Sequence, residues 1–181
     1  AENYYFNEDF IKAKKILKGF DKEDKIYYWF RIKKEAQIIS EEDNNKKRSV
    51  AFITSEFNKI KKHNHKMIFD LANFYKSSKD YENAIKYYSK VIEDLDDNNI
   101  VKADLLYRRG GSYERIGEYE KSDKDLLMSL NIEPNDAYVL NYLAYSWLER
   151  DYKIDEALDM LKIAYELESN DPYIIDSIGW A

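Results

Sequence analysis

The chain contains no cysteine among its 181 residues. This absence excludes a disulfide framework and a metal site built from thiolates, and it leaves the redox compartment open. Only 5 glycines and 2 prolines occur, which is too few for the many tight turns of a sheet-rich fold. The composition therefore favours a helical protein.

Long apolar runs and an excess of basic residues are missing too. No run reaches the roughly 18 apolar residues that a membrane-spanning helix needs. Residues 1–10 carry acidic side chains and no apolar stretch of the kind found in a signal peptide, although removal of such a peptide before Ala1 stays open. The net charge of -6 opposes nucleic-acid binding, which depends on Lys and Arg neutralising phosphates. We therefore expect no membrane insertion and no nucleic-acid partner.

A repeat of 34 to 38 residues organises most of the sequence. A small residue is followed three positions later by an aromatic one at Ala72 with Tyr75, Gly110 with Tyr113, and Ala144 with Trp147, and Gly179 adds a fourth small residue. Residues three or four apart share one face of a helix, and small residues there let two helices approach closely. The repeat therefore predicts a series of similar first helices.

A matching series of second helices begins twelve or thirteen residues after each of the first three small residues. Its residues at offsets 0, 4 and 7 are Ala84, Tyr88 and Val91; Ser122, Leu126 and Ser129; and Ala157, Leu161 and Ala164. Short turns separate the two helices of a pair at Ser78–Tyr81, Ile116–Tyr119 and Asp151–Ile154. Joints rich in capping side chains follow at Asp96–Asn99, Glu133–Asp136 and Ser169–Pro172. The sequence thus predicts antiparallel helix pairs.

This pattern of small, aromatic, Ala, large, Ala and Pro residues over 34 positions resembles the tetratricopeptide repeat, clearly so over about residues 65–181. The resemblance implies an all-α fold, a right-handed α-solenoid of antiparallel helix pairs. Leu140–Arg150 and Asp176–Ala181 also resemble repeats of bacterial, particularly alphaproteobacterial, tetratricopeptide proteins. That narrower resemblance implies a soluble bacterial protein and leaves periplasm or cytoplasm open.

We expect a single solenoid domain over residues 1–181. Its predicted parts are a half repeat at 7–20, a degenerate repeat at 25–62, repeats at 65–99, 103–136 and 137–171, and the start of a further repeat at 172–181. Both ends fall inside repeats, and a solenoid end exposes an apolar face that normally needs a cap. We therefore expect a fragment, or the ordered part, of a longer array.

The first third of the chain departs most from the repeat. In the half repeat, Phe10, Ala13, Leu17 and Phe20 share one helix face. In the degenerate repeat, Ala36 and Ile39 take the places of Ala72 and Tyr75, a turn follows at Asp43–Lys46, and the second helix carries Val50, Ile53, Phe57 and Ile60. Amphipathic spacing of this kind predicts helices that bury one face.

No constellation for catalysis, a metal or a cofactor stands out. His63 and His65 would point about 200° apart on a helix, which favours a polar joint over a shared metal. The acidic runs Glu41–Asp43 and Asp94–Asp97 lack the central glycine and distal glutamate of a calcium loop. The segment Arg109–Ser112 falls within a predicted helix, where packing explains its glycines. We predict a non-enzymatic chain without cofactor or metal.

The resemblance implies that first helices form the inner, concave surface. The residues that would line it are Phe69, Asn73, Lys76, Tyr107, Arg108, Gly111, Arg115, Tyr138, Asn141, Tyr142, Tyr145, Tyr173, Asp176 and Trp180. Tyrosine offers a large rigid area with a hydroxyl, and arginine offers a forked donor for carboxylates. A bias of the whole chain towards tyrosine, with 17 of them, is the alternative explanation. The chaperone-carboxylate clamp of some family members is not carried over, because Phe69, Asp104 and Tyr138 replace its lysine or asparagine.

The predicted function is a protein–protein interaction scaffold that binds a peptide or a helical segment of another protein in the concave groove. One alternative is a regulatory or targeting domain of a larger enzyme. Another is self-association into a homo-oligomer through the uncapped solenoid end near Trp180.

Overall fold

The computed structural model describes residues 9–19, 24–42 and 46–181, and every regular element in that part of the chain is an α-helix. These are α1 Phe10–Leu17, α2 Lys25–Glu42, α3 Lys46–Asn58, α4 His65–Ser77, α5 Tyr81–Ile92, α6 Ile100–Arg115, α7 Tyr119–Ile132, α8 Ala137–Leu148, α9 Ile154–Leu167 and α10 Pro172–Trp180. The predicted roles of Phe20 and of the turn at Asp43–Asn45 lie outside the described residues.

The chain divides between Tyr87 and Tyr88 into two compact units. Unit 1 contains α1 to α4 and most of α5, and unit 2 contains the end of α5 and α6 to α10. The predicted helical repeats are present in both units. The predicted repeat boundaries remain expectations, and α6 already begins at Ile100, three residues before the predicted start of its repeat.

In unit 1, α1 packs on α2 through Ala13, Leu17 and Ile38. Ala36 is fully buried, and the hydroxyl of Ser49 on α3 donates a hydrogen bond to its carbonyl oxygen. Ile39, predicted to take the place of Tyr75, is only partly buried, because its neighbour Ile38 is the residue that faces α1. The degenerate repeat thus forms a close helix pair, but with an altered core position.

In unit 2, a buried cluster joins α7, α8 and α9. It contains Leu126, Val139, Leu143, Ala144, Trp147, Ala157 and Leu161. A Cβ atom added to Gly110 would lie 3.0 Å from Cγ of Leu126, so the missing side chain lets α6 and α7 approach closely, as the sequence predicts. At Gly179 an added Cβ meets no atom within 4 Å, so the same interpretation of that residue stays a prediction.

The turns within the pairs are where the sequence predicts them. Lys79, Gly117 and Asp151 each adopt a left-handed backbone conformation with φ of 64°, 79° and 50°. Such a residue after the last helical turn redirects the chain towards an antiparallel partner helix. Glycine adopts this conformation at no steric cost, so Gly117 is explained by the turn itself.

The joints between pairs are helix caps. Asn99 accepts a hydrogen bond from the backbone N–H of Val101, and Asp171 accepts from those of Tyr173 and Ile174. Asp136 does the same at the start of α8. Each cap satisfies N–H groups that the first helical turn leaves without an intrahelical partner.

Candidate functional site

The predicted binding residues fall on first helices of both units. Phe69, Asn73 and Lys76 lie on α4 in unit 1, and the others lie on α6, α8 and α10 in unit 2. We call the latter set the first-helix surface of unit 2: Tyr107, Arg108, Arg115, Tyr138, Asn141, Tyr142, Tyr145, Tyr173 and Trp180. The two sets are described separately below.

Tyr142 joins α8 to α6. Its ring meets the ring of Tyr107 edge to face, with centroids 5.7 Å apart. Its hydroxyl donates a hydrogen bond of 3.0 Å to Oε2 of Glu114. A Cβ added to Gly111 would lie 3.3 Å from that hydroxyl oxygen, so the glycine makes room for the ring. The packing fixes Tyr142 in a single position on the first-helix surface.

Tyr145 joins α8 to α10. Its ring lies 5.2 Å from the ring of Trp180, centroid to centroid, at an interplanar angle of 50°. The Tyr145 hydroxyl donates a hydrogen bond of 2.8 Å to Oε1 of Glu149, one helical turn further along the chain. The hydroxyls of Tyr142 and Tyr145 are therefore each hydrogen-bonded to a carboxylate.

Three aromatic residues on the same surface are largely exposed. Tyr138, Tyr173 and Trp180 expose 51%, 77% and 54% of their area. The hydroxyl of Tyr138 donates a 3.3 Å hydrogen bond to Oδ2 of Asp171, the residue that caps α10. Large apolar area is thus available to a partner next to polar groups, which is the composition typical of interface centres.

The two predicted arginines lie beside carboxylates of their own helix. Nε of Arg108 donates to both oxygens of Asp104, at 3.0 and 2.9 Å. Nε of Arg115 lies 3.4 Å from Oε2 of Glu114. That these arginines bind a partner's carboxylate stays a prediction.

A pocket of about 250 Å³ opens between α6 and α8. It is lined by Glu114, Arg115, Tyr142, Tyr145, Ser146 and Glu149. The pKa of Tyr142 is raised by burial and then by the charge of Glu114. The pKa of Tyr145 is raised first by the hydrogen bond to Glu149. Both hydroxyls therefore remain protonated donors at neutral pH.

Asn141, another predicted residue, is partly buried on α8. Its side-chain oxygen is buried and accepts no hydrogen bond from the described residues. A buried acceptor without a donor costs about 1–3 kcal/mol. A donor from a bound chain would remove that cost once the amide turned towards it.

One of the three unit 1 candidates, Asn73, borders a second pocket. Asn73 lines a cavity of about 280 Å³ together with Gln37, Ser40, Glu41, Lys46, Phe74 and Ser77. Phe69 and Lys76 are partly buried on the same helix, α4. The side-chain oxygen of Gln37 is buried and, within the described residues, without a hydrogen-bond partner. The residues that line this pocket are more polar than those of the first-helix surface of unit 2.

Residues that the sequence analysis did not select turn out to complete the site. Glu114 and Glu149 receive the hydroxyls of Tyr142 and Tyr145. The i, i+4 spacing of Tyr145 and Glu149 was a usable signal, since such pairs are neighbours on a helix. Glu114 lies 28 residues before Tyr142, and only the packing of α6 against α8 brings the two together.

Two further expectations concern metals and membranes. Within residues 9–19, 24–42 and 46–181, no group of three or more His, Asp or Glu side chains is placed to hold a metal ion. His63 instead stacks on Phe57, with ring centroids 3.6 Å apart. Among the described helices, none has the length and apolar character that crossing a bilayer requires.

Comparison with known proteins finds the tetratricopeptide repeat in part of the chain. The sequence pattern described as tetratricopeptide repeat matches residues 65–93. A TPR repeat-containing protein of Pseudomonas aeruginosa is 36% identical over 76 residues, which are 42% of this chain and 13% of that protein. A lipoprotein NlpI homolog of Haemophilus influenzae is 38% identical over 77 residues, 42% of this chain and 24% of that protein. The chain thus spans less than a third of each of these curated relatives.

Solved structures give the fold. The crystal structure of MamA has a TM-score of 0.67 at 18% identity and covers 92% of this chain and 93% of its own. The first TPR of Spaghetti (RPAP3), bound to an HSP90 peptide, has a TM-score of 0.56 at 20% identity and covers 64% of this chain and 88% of its own. The predicted all-α solenoid of helix pairs is confirmed, while the alphaproteobacterial resemblance stays a prediction. Residues 65–93 thus match the tetratricopeptide repeat, and the chain has a helical-repeat fold similar to that of these solved structures.

Proposed function

We propose that this chain is a protein-interaction module that binds a peptide or helical segment of another protein on the first-helix surface of unit 2. The observation that carries the proposal is the row of aromatic side chains on α8 and α10. Tyr138, Tyr173 and Trp180 are exposed, while Tyr142 and Tyr145 are held between helices with their hydroxyls bonded to carboxylates.

Aromatic side chains that are already fixed favour binding, because they lose little conformational freedom when the partner binds. Ordering one flexible side chain at an interface costs about 0.5–1.5 kcal/mol. Tyr142 is already fixed by Tyr107 and Glu114, and Tyr145 by Trp180 and Glu149. The partner segment therefore carries most of the ordering cost, and the apolar ring area contributes to affinity.

A whole-chain bias towards tyrosine explains the number of tyrosines but not their arrangement. The first-helix surface of unit 2 joins tyrosine rings to specific acceptors on neighbouring helices, as Tyr142 to Glu114 and Tyr138 to Asp171. Random enrichment does not require such pairs. The arrangement therefore supports the binding interpretation over the compositional one.

The similar fold of RPAP3, whose structure contains an HSP90 peptide, agrees with the proposal. A fold alone does not establish a function, so the argument depends on the aromatic residues of this chain. The whole protein's activity and partners are outside this proposal. The absence of catalysis, of a cofactor and of a nucleic-acid partner, and self-association near Trp180, all stay predictions.

The test uses the purified chain and a displayed library of random twelve-residue peptides. Three proteins are compared: the wild type, the triple variant Tyr138→Ala, Tyr173→Ala, Trp180→Ala, and the control Tyr165→Ala. Tyr165 lies on the second helix α9 and exposes 44% of its area. Circular dichroism confirms that the variants stay folded.

We expect the wild type and Tyr165→Ala to enrich the same peptides and the triple variant to lose them. Equal enrichment by all three proteins would place binding elsewhere and contradict the proposal. Failure of the folded wild type to enrich any peptide would contradict it too.

A further inference from the structure

The pocket between α6 and α8 carries a net negative charge that one cation would neutralise. Glu114 and Glu149 bring two carboxylates to its wall, and Arg115 brings one guanidinium. One negative charge is left over, so a single added positive charge neutralises the pocket. A bound carboxylate would instead add a second unbalanced negative charge.

Both carboxylates are positioned and still able to accept more hydrogen bonds. Glu114 accepts from the hydroxyl of Tyr142, and Glu149 accepts from that of Tyr145. An ionised carboxylate has about four acceptor sites on its two oxygens. A tyrosine hydroxyl fixes each group in place and uses one of these sites, and Nε of Arg115 also lies 3.4 Å from Oε2 of Glu114. An entering ammonium or guanidinium can donate to the others.

The electrostatic environment of Tyr145 is negative. After the hydrogen bond to Glu149 and burial, the charges of Glu149 and then Asp176 raise the pKa of its hydroxyl further. Burial is the first cause that raises the pKa of Tyr142, the charge of Glu114 raises this pKa further, and Arg115 lowers it. The carboxylates thus dominate at the positions of both hydroxyls.

Aromatic rings lie on the wall and beside it, since Tyr145 lines the pocket and Trp180 packs on Tyr145 outside the lining. Tyr145 and Trp180 lie 5.2 Å apart, centroid to centroid, and Trp180 is about half exposed. A cation over the face of such a ring gains about 0.5–1 kcal/mol at an exposed site, and tryptophan is the strongest of the three aromatic side chains. The pocket therefore offers the same ligand group both the charge of the carboxylates and the face of an aromatic ring.

We infer that this pocket receives a lysine or arginine side chain of the bound segment, so that the partner is a protein segment with a basic residue flanked by apolar ones. The inference rests on the proposed function and names the chemistry that the partner must carry. The flanking apolar residues are expected because the exposed rings of Tyr138 and Tyr173 lie on the same surface.

The test separates this inference from the proposed function. Peptides enriched by the wild-type chain are synthesised with a fluorescent label, together with analogues in which their Lys or Arg is replaced by Gln. Each pair is measured by fluorescence anisotropy against the wild type and the double variant Glu114→Gln, Glu149→Gln. Glutamine keeps a side-chain oxygen that accepts the tyrosine hydroxyl, so the pocket keeps its hydrogen bonds and loses both negative charges, which leaves the positive charge of Arg115.

The matched control is Glu120→Gln, Glu166→Gln. These two exposed glutamates lie on the second helices α7 and α9, so the control removes the same charge from unit 2 at a distance from the pocket. Any change in peptide affinity that this control causes measures the long-range effect of net charge. Salt screens that effect.

We expect the basic peptides to bind the wild type about tenfold more tightly than their Gln analogues, a difference of about 1.4 kcal/mol. The double variant should lose that preference, and the control variant should keep it. Enriched peptides without a Lys or Arg preference, or a preference that survives in the double variant, would overturn the inference and leave the proposed function intact. Enrichment of no peptide at all would contradict the proposed function, and this inference with it.

Discussion

The hydroxyl of Tyr142 on α8 donates a hydrogen bond to Oε2 of Glu114 on α6 across 3.0 Å. It connects two successive first helices on the face that carries the predicted binding residues. Replacing Tyr142 by Phe keeps the ring against Tyr107 and removes this bond. We expect the free energy of unfolding to fall by about 1 kcal/mol, the usual net value of one hydrogen bond.

Urea denaturation followed by circular dichroism measures that change. The control Tyr165→Phe alters an exposed tyrosine of α9, and a surface change of this kind shifts the free energy by less than about 0.5 kcal/mol. Equal effects of the two substitutions would mean that the bond between Tyr142 and Glu114 contributes nothing to stability.

We expect substitution by alanine to lower the stability of the fold at Gly110 and to raise it at Gly179. At Gly110 the added Cβ lies 3.0 Å from Leu126 and 3.3 Å from Asp125, which is itself held by an ion pair. We expect overpacking to destabilise the fold by about 1–3 kcal/mol. At Gly179 no atom lies within 4 Å, so alanine gains helix propensity, at most about 1 kcal/mol. Thermal unfolding of both variants tests the difference in sign.

Arg109 and Asp125 form a buried ion pair between α6 and α7. The bonds from Nε and Nη2 of Arg109 measure 2.6 and 2.8 Å, and the two side chains expose 16% and 4% of their area. Asp125→Ala leaves the guanidinium buried without its counter-ion, and we expect a loss of about 3–5 kcal/mol.

Replacing both partners, as Arg109→Met with Asp125→Leu, removes the buried charges together. We expect this double variant to be more stable than Asp125→Ala, because no desolvated charge is left alone. Chemical denaturation of the wild type, the single variants Asp125→Ala and Arg109→Met, and the double variant gives the comparison. A double variant as unstable as the sum of the single variants would contradict this account.

Tyr28 makes the free energy of unfolding of the chain depend on pH in the alkaline range. Burial, and then the hydrogen bond to Glu56, raise the pKa of its hydroxyl from 10.0 to about 12. The folded state therefore keeps a proton that the unfolded chain loses above pH 10, and stability falls as the pH rises from about 10 to about 12.

Tyr28→Phe should reduce the fall over that interval. Denaturation midpoints at pH 8, 10 and 11.5 measure it in the wild type and the variant. Parallel pH profiles for the two proteins would show that Tyr28 does not titrate in this way.

The sequence predicts the fold of this chain well wherever local physics decides it. The small residues Ala72, Gly110 and Ala144 are fully or nearly fully buried. Capping side chains appear at the predicted joints, and left-handed residues appear in the predicted turns within pairs, because both depend on residues close together in sequence. Ile39 differs because its surroundings depend on which helix packs against it, which spacing alone does not give.

The candidate site is predictable only in part for the same reason. Helical phase selects Tyr142 and Tyr145, but not Glu114, which reaches Tyr142 only through the packing of α6 on α8. Long-range contacts of this kind require the three-dimensional arrangement.

The central claim is that a partner segment lies on the first-helix surface of unit 2. Site-specific photocrosslinking tests it most directly, with benzoylphenylalanine placed at position 138 on α8 or at position 165 on α9, and with the strongest peptide selected by the wild-type chain. We predict a crosslink from position 138 and none from position 165. A crosslink from position 165 alone would contradict the claim.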